Sequence, residues 1–378
     1  MRVALHLTQD CNLRCHYCYT GRKSDLRMTP ATADRAVDFL FEQPIRDYLA
    51  ITFFGGEPLL AVDMIERVVA RVEAKRAERP SLKVRFAVNT NGTILDQRIA
   101  HLLERHAFHI FVSIDGGPAA HDRHRVFPDQ QGSFFAVTQN LETFRKVNPY
   151  VVTLSTVTPE TAASVADTAE HLIDRGLRVV MLTPDYTAAW DAESLGLLAQ
   201  GYEKLAELYL KCHRRGRKLF LNLFDDRINS HVHRDKPRDA CNLADSEFSI
   251  APDGTLFPCV QFVTLDAIES KRLAIGDVNA GWDDEARQDV IAQSSRVPSL
   301  CTACALNGRC MNYCGCVNYR TTGRLDDVSP FLCSHERMLF PIVDRVGEVL
   351  FKERNELFLK KFYDPHFSLV SVLEDMTA

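Results

Sequence analysis

Near its start the chain runs Val3-Ala4-Leu5-His6-Leu7-Thr8-Gln9-Asp10-Cys11-Asn12-Leu13-Arg14-Cys15-His16-Tyr17-Cys18. Val3–Leu7 is short, apolar and closed by a polar loop, which predicts a strand. At its carboxyl end three cysteines follow, spaced three and then two residues apart, with an aromatic just before the last. Three thiolates suit a soft metal centre. Structural zinc would want a fourth ligand, for which His16 is the only nearby candidate besides a distant cysteine. A cubic iron–sulfur cluster held by three thiolates instead leaves one iron open for a small molecule.

Working outward, the strand-and-loop unit recurs. Six strands are predicted up to about residue 216: Val3–Leu7, Ala50–Phe54, Lys83–Val88, His109–Ile114, Val151–Val157 and Arg178–Leu182. Helical patterns lie between them. Thr29-Pro30 and Thr158-Pro159 each place a capping hydroxyl before a proline at the first helical position. In Thr161–Arg175, Val165, Ala169, Leu172 and Ile173 share one helical face, and Gly176 supplies the stop. This alternation predicts an α/β fold with parallel pairing and right-handed crossovers. Six units are too few for a closed eightfold barrel, and periodicity leaves an open doubly wound sheet and an incomplete barrel as alternatives. Both gather ligands at the carboxyl ends of the strands.

The 378 residues suggest two to three folding units. A net charge of −5 lacks the basic surplus of a dedicated nucleic-acid binder. No apolar run approaches a membrane span, and no export signal opens the chain, so a cytoplasmic protein is expected. Twelve cysteines in a reducing compartment point to metal rather than disulfides. Three lie in the first loop, Cys212 stands alone and reads as a buried helix residue, and eight fall between Cys241 and Cys333. A helix from Ala192 to about Arg215 ends in a basic cluster that complements its dipole. After about residue 225 the alternation stops. Domains are therefore expected at 1–225, 226–340 and 341–378, with a helical pattern over Met338–Phe362 and charges on one face of it. His231-x-His233 and His121-x2-His124 lack further ligands at persuasive spacing and read as ordinary histidines.

Each of the next three strands also ends in a motif: Gly55-Gly56-Glu57-Pro58, Asn89-Thr90-Asn91-Gly92 and Ser113-Ile114-Asp115-Gly116. Each alone is ordinary turn chemistry. Together with CxxxCxxC at Cys11, Cys15 and Cys18, they resemble the radical S-adenosylmethionine superfamily. The resemblance implies a partial (βα)6 TIM-like barrel. It further implies a [4Fe-4S] cluster on those three cysteines, whose open iron chelates S-adenosylmethionine. One electron then cleaves the sulfonium, and a 5′-deoxyadenosyl radical abstracts a substrate hydrogen. Gly55, Gly56 and Glu57 are expected to bind the methionine amino group, with Asn89, Ser113 and Asp115 as further cofactor contacts. Gln139, at the place of a cofactor-binding arginine in sulfatase maturases, and Ser155 are the remaining candidates.

The later cysteines run Cys241, Cys259, Cys301-x2-Cys304-x5-Cys310-x3-Cys314 and Cys333. They resemble the SPASM auxiliary-cluster domain, a small cysteine-rich unit of short strands and helices. The resemblance assigns Cys301, Cys304, Cys310 and Cys333 to an outer [4Fe-4S] cluster and Cys241, Cys259 and Cys314 to an inner one, for three clusters in all. The inner cluster is expected to keep an open iron, able to bind a substrate thiolate, or to take Cys316 as its fourth ligand; Cys316 is otherwise a hydrogen-atom donor or a small buried hydrophobe. A zinc ribbon in a non-catalytic metal-binding protein is the rival from another class. The anaerobic sulfatase maturases carry a basic aspartate after the cysteine matching Cys259. Here Val260 stands there, and valine cannot take a proton. Asp245, Glu247 and Asp266 are possible substitutes. The expected activity is therefore modification of a ribosomally made peptide, by thioether or other cross-linking or at an α-carbon, with formylglycine formation as the alternative. Implied partners are a precursor peptide or protein and an electron donor such as flavodoxin or ferredoxin. The first strand starts at about residue 3, so leader recognition is expected to use another surface or a separate leader-binding protein. Neither nucleic acid nor membrane is expected as a partner.

Overall fold

Val3, Leu5 and Leu7 alternate into the core, and the strand they form (β1, Arg2–Thr8) is flanked on both sides. A computed structural model describes residues 1–21, 23–233, 241–263, 267–364 and 366–367. The remaining strands are β2 (Tyr48–Gly55), β3 (Lys83–Thr90), β4 (His109–Ser113), β5 (Val152–Val157), β6 (Val179–Pro184) and β7 (Phe220–Leu221). They are followed by β8 (Glu247–Ile250), β9 (Thr255–Phe257), β10 (Gly276–Asp277) and β11 (Gly281–Trp282). The chain divides into two compact units, each assembled from separate stretches. One comprises Met1–Val112, His124–Asn148 and Cys241–Arg296; the other comprises Ser113–Arg123, Pro149–Ala240 and Val297–Ala378.

In the first unit β1 pairs in parallel with β2, β2 with β3 and β3 with β4. Val3 lies opposite Ile51 and Leu5 opposite Phe53, so apolar residues stack in register. Phe53, Phe86 and Phe108 stack at centroid spacings of 5.5 to 6.2 Å. Thr29 accepts a hydrogen bond from the N–H of Thr32, and Pro30 opens the helix Pro30–Glu42, as its start signal predicts.

The other edge of β1 is taken by β8, also parallel, with Val3 opposite Phe248. The sequence pattern gave no sign of this seventh neighbour, because pairing across some two hundred residues is not a local property. Antiparallel β9, β10 and β11 continue from β8. Phe39 meets Phe248 and Trp282 edge-on, and Trp282 donates its indole N–H to Gln43 at 2.8 Å.

In the second unit β5, β6 and β7 pair in parallel. Thr158-Pro159 opens a 3-10 turn, Pro159–Ser164, and the α-helix itself is Val165–Asp174. Thr158 and Thr161 form a reciprocal capping box that tightens this first turn. Cys212 is buried in the helix Ala192–Arg214. The C-terminal helix starts earlier than its predicted Met338, running Pro330–Lys352 with Ser329 as cap, and a second helix follows at Glu356–Tyr363. Among the described residues no helix is long and apolar enough to cross a membrane. Asp266, part of the stretch around the expected boundary near 225–240, and the end of the expected tail lie outside the described residues.

Candidate functional site

The cysteine loop leaves β1 and is held by backbone bonds to a returning segment. Arg14 N–H donates to the Val126 carbonyl at 2.7 Å and His16 N–H to the His124 carbonyl at 3.0 Å. Arg125 sits over the Tyr17 ring, and His124 packs against Tyr17 and His16. His124 thus belongs to the packing of the loop. In the second unit the Asp115 N–H donates to His121 Nδ1 at 3.3 Å.

Cys11 and Cys18 sit in different surroundings. Cys11 is buried and takes weak bonds from Leu13 N–H and Asn91 Nδ2. Burial, then the nearby Glu57 carboxyl, pushes its thiol up to about 11. Cys18 is the opposite case. Burial raises its pKa, but Lys23, whose Nζ lies 3.0 Å from the sulfur, together with Thr20 brings it below the ordinary thiol value. Three thiols on one loop are the donor set that a soft iron–sulfur centre takes.

The Gly55-Gly56 turn packs backbone to backbone on this loop. Gly56 N–H donates to the Thr8 carbonyl at 2.7 Å and Glu57 N–H to the Asp10 carbonyl at 2.8 Å. A Cβ at Gly55 would run into the Thr8 carbonyl, and one at Gly56 into that of Asp10, while Gly55 also holds φ at 135°. The glycines are required by the loop they support.

Glu57, expected to bind the methionine amino group, is engaged within the protein. Its carboxylate is wholly buried and accepts from Leu59 N–H at 3.0 Å, Thr90 Oγ1 at 2.8 Å and Asn91 N–H at 2.7 Å. Burial pushes its pKa up to about 7 against these three donors. The reason is local: Glu57 caps the 3-10 turn Pro58–Ala61, so its side chain folds back and ties β2 to the end of β3. The sequence reading overlooked Asn91. Its amide reaches Cys11 and donates to Asn12 Oδ1 at 2.8 Å, whereas Asn89 lies within β3.

The other expected contacts fall as follows. Gln139 is exposed on the helix Phe134–Val147; Asn140, one position on, donates to the Gly92 carbonyl at 3.0 Å. In the second unit Ser113 ends β4, and buried Asp115 accepts from Thr156 N–H at 2.9 Å. Ser155 donates to the Ile114 carbonyl at 2.6 Å. Cys241 and Cys259 belong to the first unit, and Cys259 precedes the one-turn helix Val260–Phe262.

The remaining cysteines lie in the second unit. Cys301, Cys304, Cys310 and Cys333 line one cavity of about 130 Å³, beside Glu336 and Arg337. Among the described residues no three ligating side chains converge on a single ion. Four thiols spread around a cavity of that size suit a polynuclear centre. Cys314 and Cys316 stand with sulfurs 3.4 Å apart at the start of the helix Gly315–Thr322. The neighbouring Cys316 thiol lowers the Cys314 pKa despite burial.

A superfamily profile described as "Radical SAM superfamily" matches residues 5–222, and the chain belongs to that superfamily. Membership of that superfamily makes it an enzyme. The cysteine-type anaerobic sulfatase-maturating enzyme of Clostridium novyi (strain NT) is 25% identical over 276 residues, covering 68% of this chain and 72% of its own. The solved structure of native anSMEcpe with bound AdoMet aligns with a TM-score of 0.80 at 18% identity, covering 93% of this chain and 99% of the other. Streptococcus suis SuiB bound to its precursor peptide SuiA aligns at 0.60 and 15% identity, covering 88% and 75%. The expected TIM-like radical fold with a cysteine-rich C-terminal part is the fold of these structures.

Proposed function

We propose that this chain uses S-adenosylmethionine to modify a peptide side chain or α-carbon by a radical route, in the maturation of a ribosomally made peptide. Cys11, Cys15 and Cys18 hold the cluster that receives the cofactor. Gly55, Gly56 and Glu57 shape the floor beside it through their backbone, and Asn89, Ser113 and Asp115 are the further contacts. When bound, the cofactor supplies a carbon radical able to abstract a hydrogen atom. Cys301, Cys304, Cys310 and Cys333 hold an auxiliary cluster, and Cys241, Cys259 and Cys314 are given a second by their order in the sequence. Cys316 is either a ligand there or a hydrogen donor. A protein electron donor supplies the reducing equivalent.

The observation that carries this reading is Val260, which follows Cys259 where formylglycine formation places a carboxylate. An uncharged aliphatic side chain there suits a reaction that needs no base at that position. Sulfatase maturation is the second reading, favoured by the likeness to sulfatase-maturating enzymes. The test is anaerobic incubation of reconstituted, reduced enzyme with a Cys- or Ser-containing sulfatase peptide and, separately, with short peptides encoded beside its gene. A mass change on the latter alone is expected. Conversion of the sulfatase peptide with the mass loss of formylglycine would reverse the ranking.

A further inference from the structure

Glu336 occupies a place where cluster ligation needs no carboxylate. It is 1% exposed and lines the cavity shared by Cys301, Cys304, Cys310 and Cys333. Its Oε1 accepts from Arg227 Nη2 and lies 3.3 Å from His335 Nδ1. Among the described residues its Oε2 has no hydrogen-bond partner. A buried carboxylate oxygen left bare is costly, so it calls for an explanation in what fills the space beside it. Arg227 Nε and His335 Nδ1 of the same network also lack a hydrogen-bond partner among the described residues, so the whole cluster of charges borders space that the chain itself leaves unfilled. His335 Nε2 is 2.8 Å from the Tyr202 hydroxyl, and Arg227 lies over Phe340 with a guanidinium nitrogen 4.0 Å from Met311 Sδ.

We propose that Glu336 is a positioning residue for charge: its carboxylate, lining the cavity of the four thiols, keeps the reduction potential of the cluster they hold low. The inference rests on the assignment of an iron–sulfur cluster to Cys301, Cys304, Cys310 and Cys333. Cluster potentials follow local net charge, hydrogen bonds to sulfur and exposure. Glu336 donates no hydrogen bond, and its side chain is almost wholly buried, so its fixed negative charge is screened less than a surface one. Adding an electron beside it is disfavoured. Arg227, paired with Oε1, and Arg337, which lines the same cavity, offset part of this field. A low potential suits a centre that passes an electron on rather than storing it.

The test uses the full chain, reconstituted anaerobically, with iron and sulfide counted and potentials read by EPR-monitored redox titration. The relevant signal is the one that Cys304→Ala removes. Glu336→Gln is expected to keep the wild-type iron count while that signal titrates at a higher potential. Arg227→Gln is expected to move it lower. Unchanged potentials at full iron content would overturn the inference and leave the cluster assignment standing. Loss of iron from Glu336→Gln would also overturn it, because the carboxylate would then be holding the cluster rather than tuning it. Should that variant fail to fold, Arg227→Gln decides alone, a downward shift supporting the inference and no shift overturning it. If Cys304→Ala leaves the iron count of the protein undiminished, the cluster assignment itself fails.

Discussion

Gly56 and His213 each sit where one side chain decides a local balance. A methyl group at Gly56 would meet a backbone oxygen, that of Asp10, which has no flexible end to swing aside. To fit it, the Gly56–Thr8 and Glu57–Asp10 backbone bonds must lengthen, and these set the height of the cysteine loop. Gly56→Ala is expected to cost roughly 1–3 kcal/mol and to lower iron loading at that loop. Urea unfolding and iron analysis check both, and an unaltered unfolding midpoint would show the loop to be compliant. His213 is buried with Nδ1 3.0 Å from the Tyr209 carbonyl and, among the described residues, no partner for Nε2. Burial, and then the Lys361 ammonium, pull its pKa down to about 3. The unfolded chain takes up this proton near pH 6.5 and the folded chain near 3. Its contribution is therefore complete above 6.5 and falls by about 1.4 kcal/mol per pH unit as the pH drops towards 3. In His213→Leu that part of the acid slope should vanish, so the stability gap to wild type narrows between pH 7 and pH 5. Equal slopes in the two proteins would rule the histidine out.

At the scale of elements, the helices Asn222–Val232 and Pro330–Lys352 are joined by the Arg227–Glu336 pair, both side chains almost fully buried. Such a pair contributes little net stability, yet removing one partner strands the other's charge. Arg227→Met is expected to cost about 3–5 kcal/mol, and the double variant Arg227→Met/Glu336→Leu clearly less. Denaturant unfolding of the two singles and the double measures the coupling, and additive losses would mean the pair does not act as a unit. This contact was not legible in the sequence. A glutamate in a helical pattern reads as solvent-facing by default, and only tertiary packing makes it buried. The start of its helix was legible but overlooked, since Ser329-Pro330 repeats the capping pattern of Thr29-Pro30. With that start, Cys333 falls in the first helical turn. Strands β1 to β6 were legible because each is a short apolar run closed by a turn. β8 was not, since its four residues carry no mark of the distant strand they pair with.

For the whole molecule, the cysteine spacing and the motifs ending successive strands made the superfamily readable before any coordinates. The side-chain roles were less so. Spacing tells which residues arrive at a strand end, whereas Glu57 and Ser155 turn out to be bonded to neighbouring backbone once packed there. The cluster assignments therefore call for a test of the entire chain that separates the N-terminal thiols from the later ones. Three cubanes imply about twelve irons per chain. Cys15→Ala should lose about a third of them, produce no 5′-deoxyadenosine and keep the wild-type circular dichroism. Cys304→Ala should lose a similar share yet still cleave the cofactor when reduced, because its thiol belongs to a different centre. If Cys15→Ala cleaves the cofactor undiminished, the first loop is not where the cofactor is held. If Cys304→Ala instead abolishes cleavage with its fold intact, the later cluster takes part in the first electron transfer, and the separation of roles drawn from the sequence gives way.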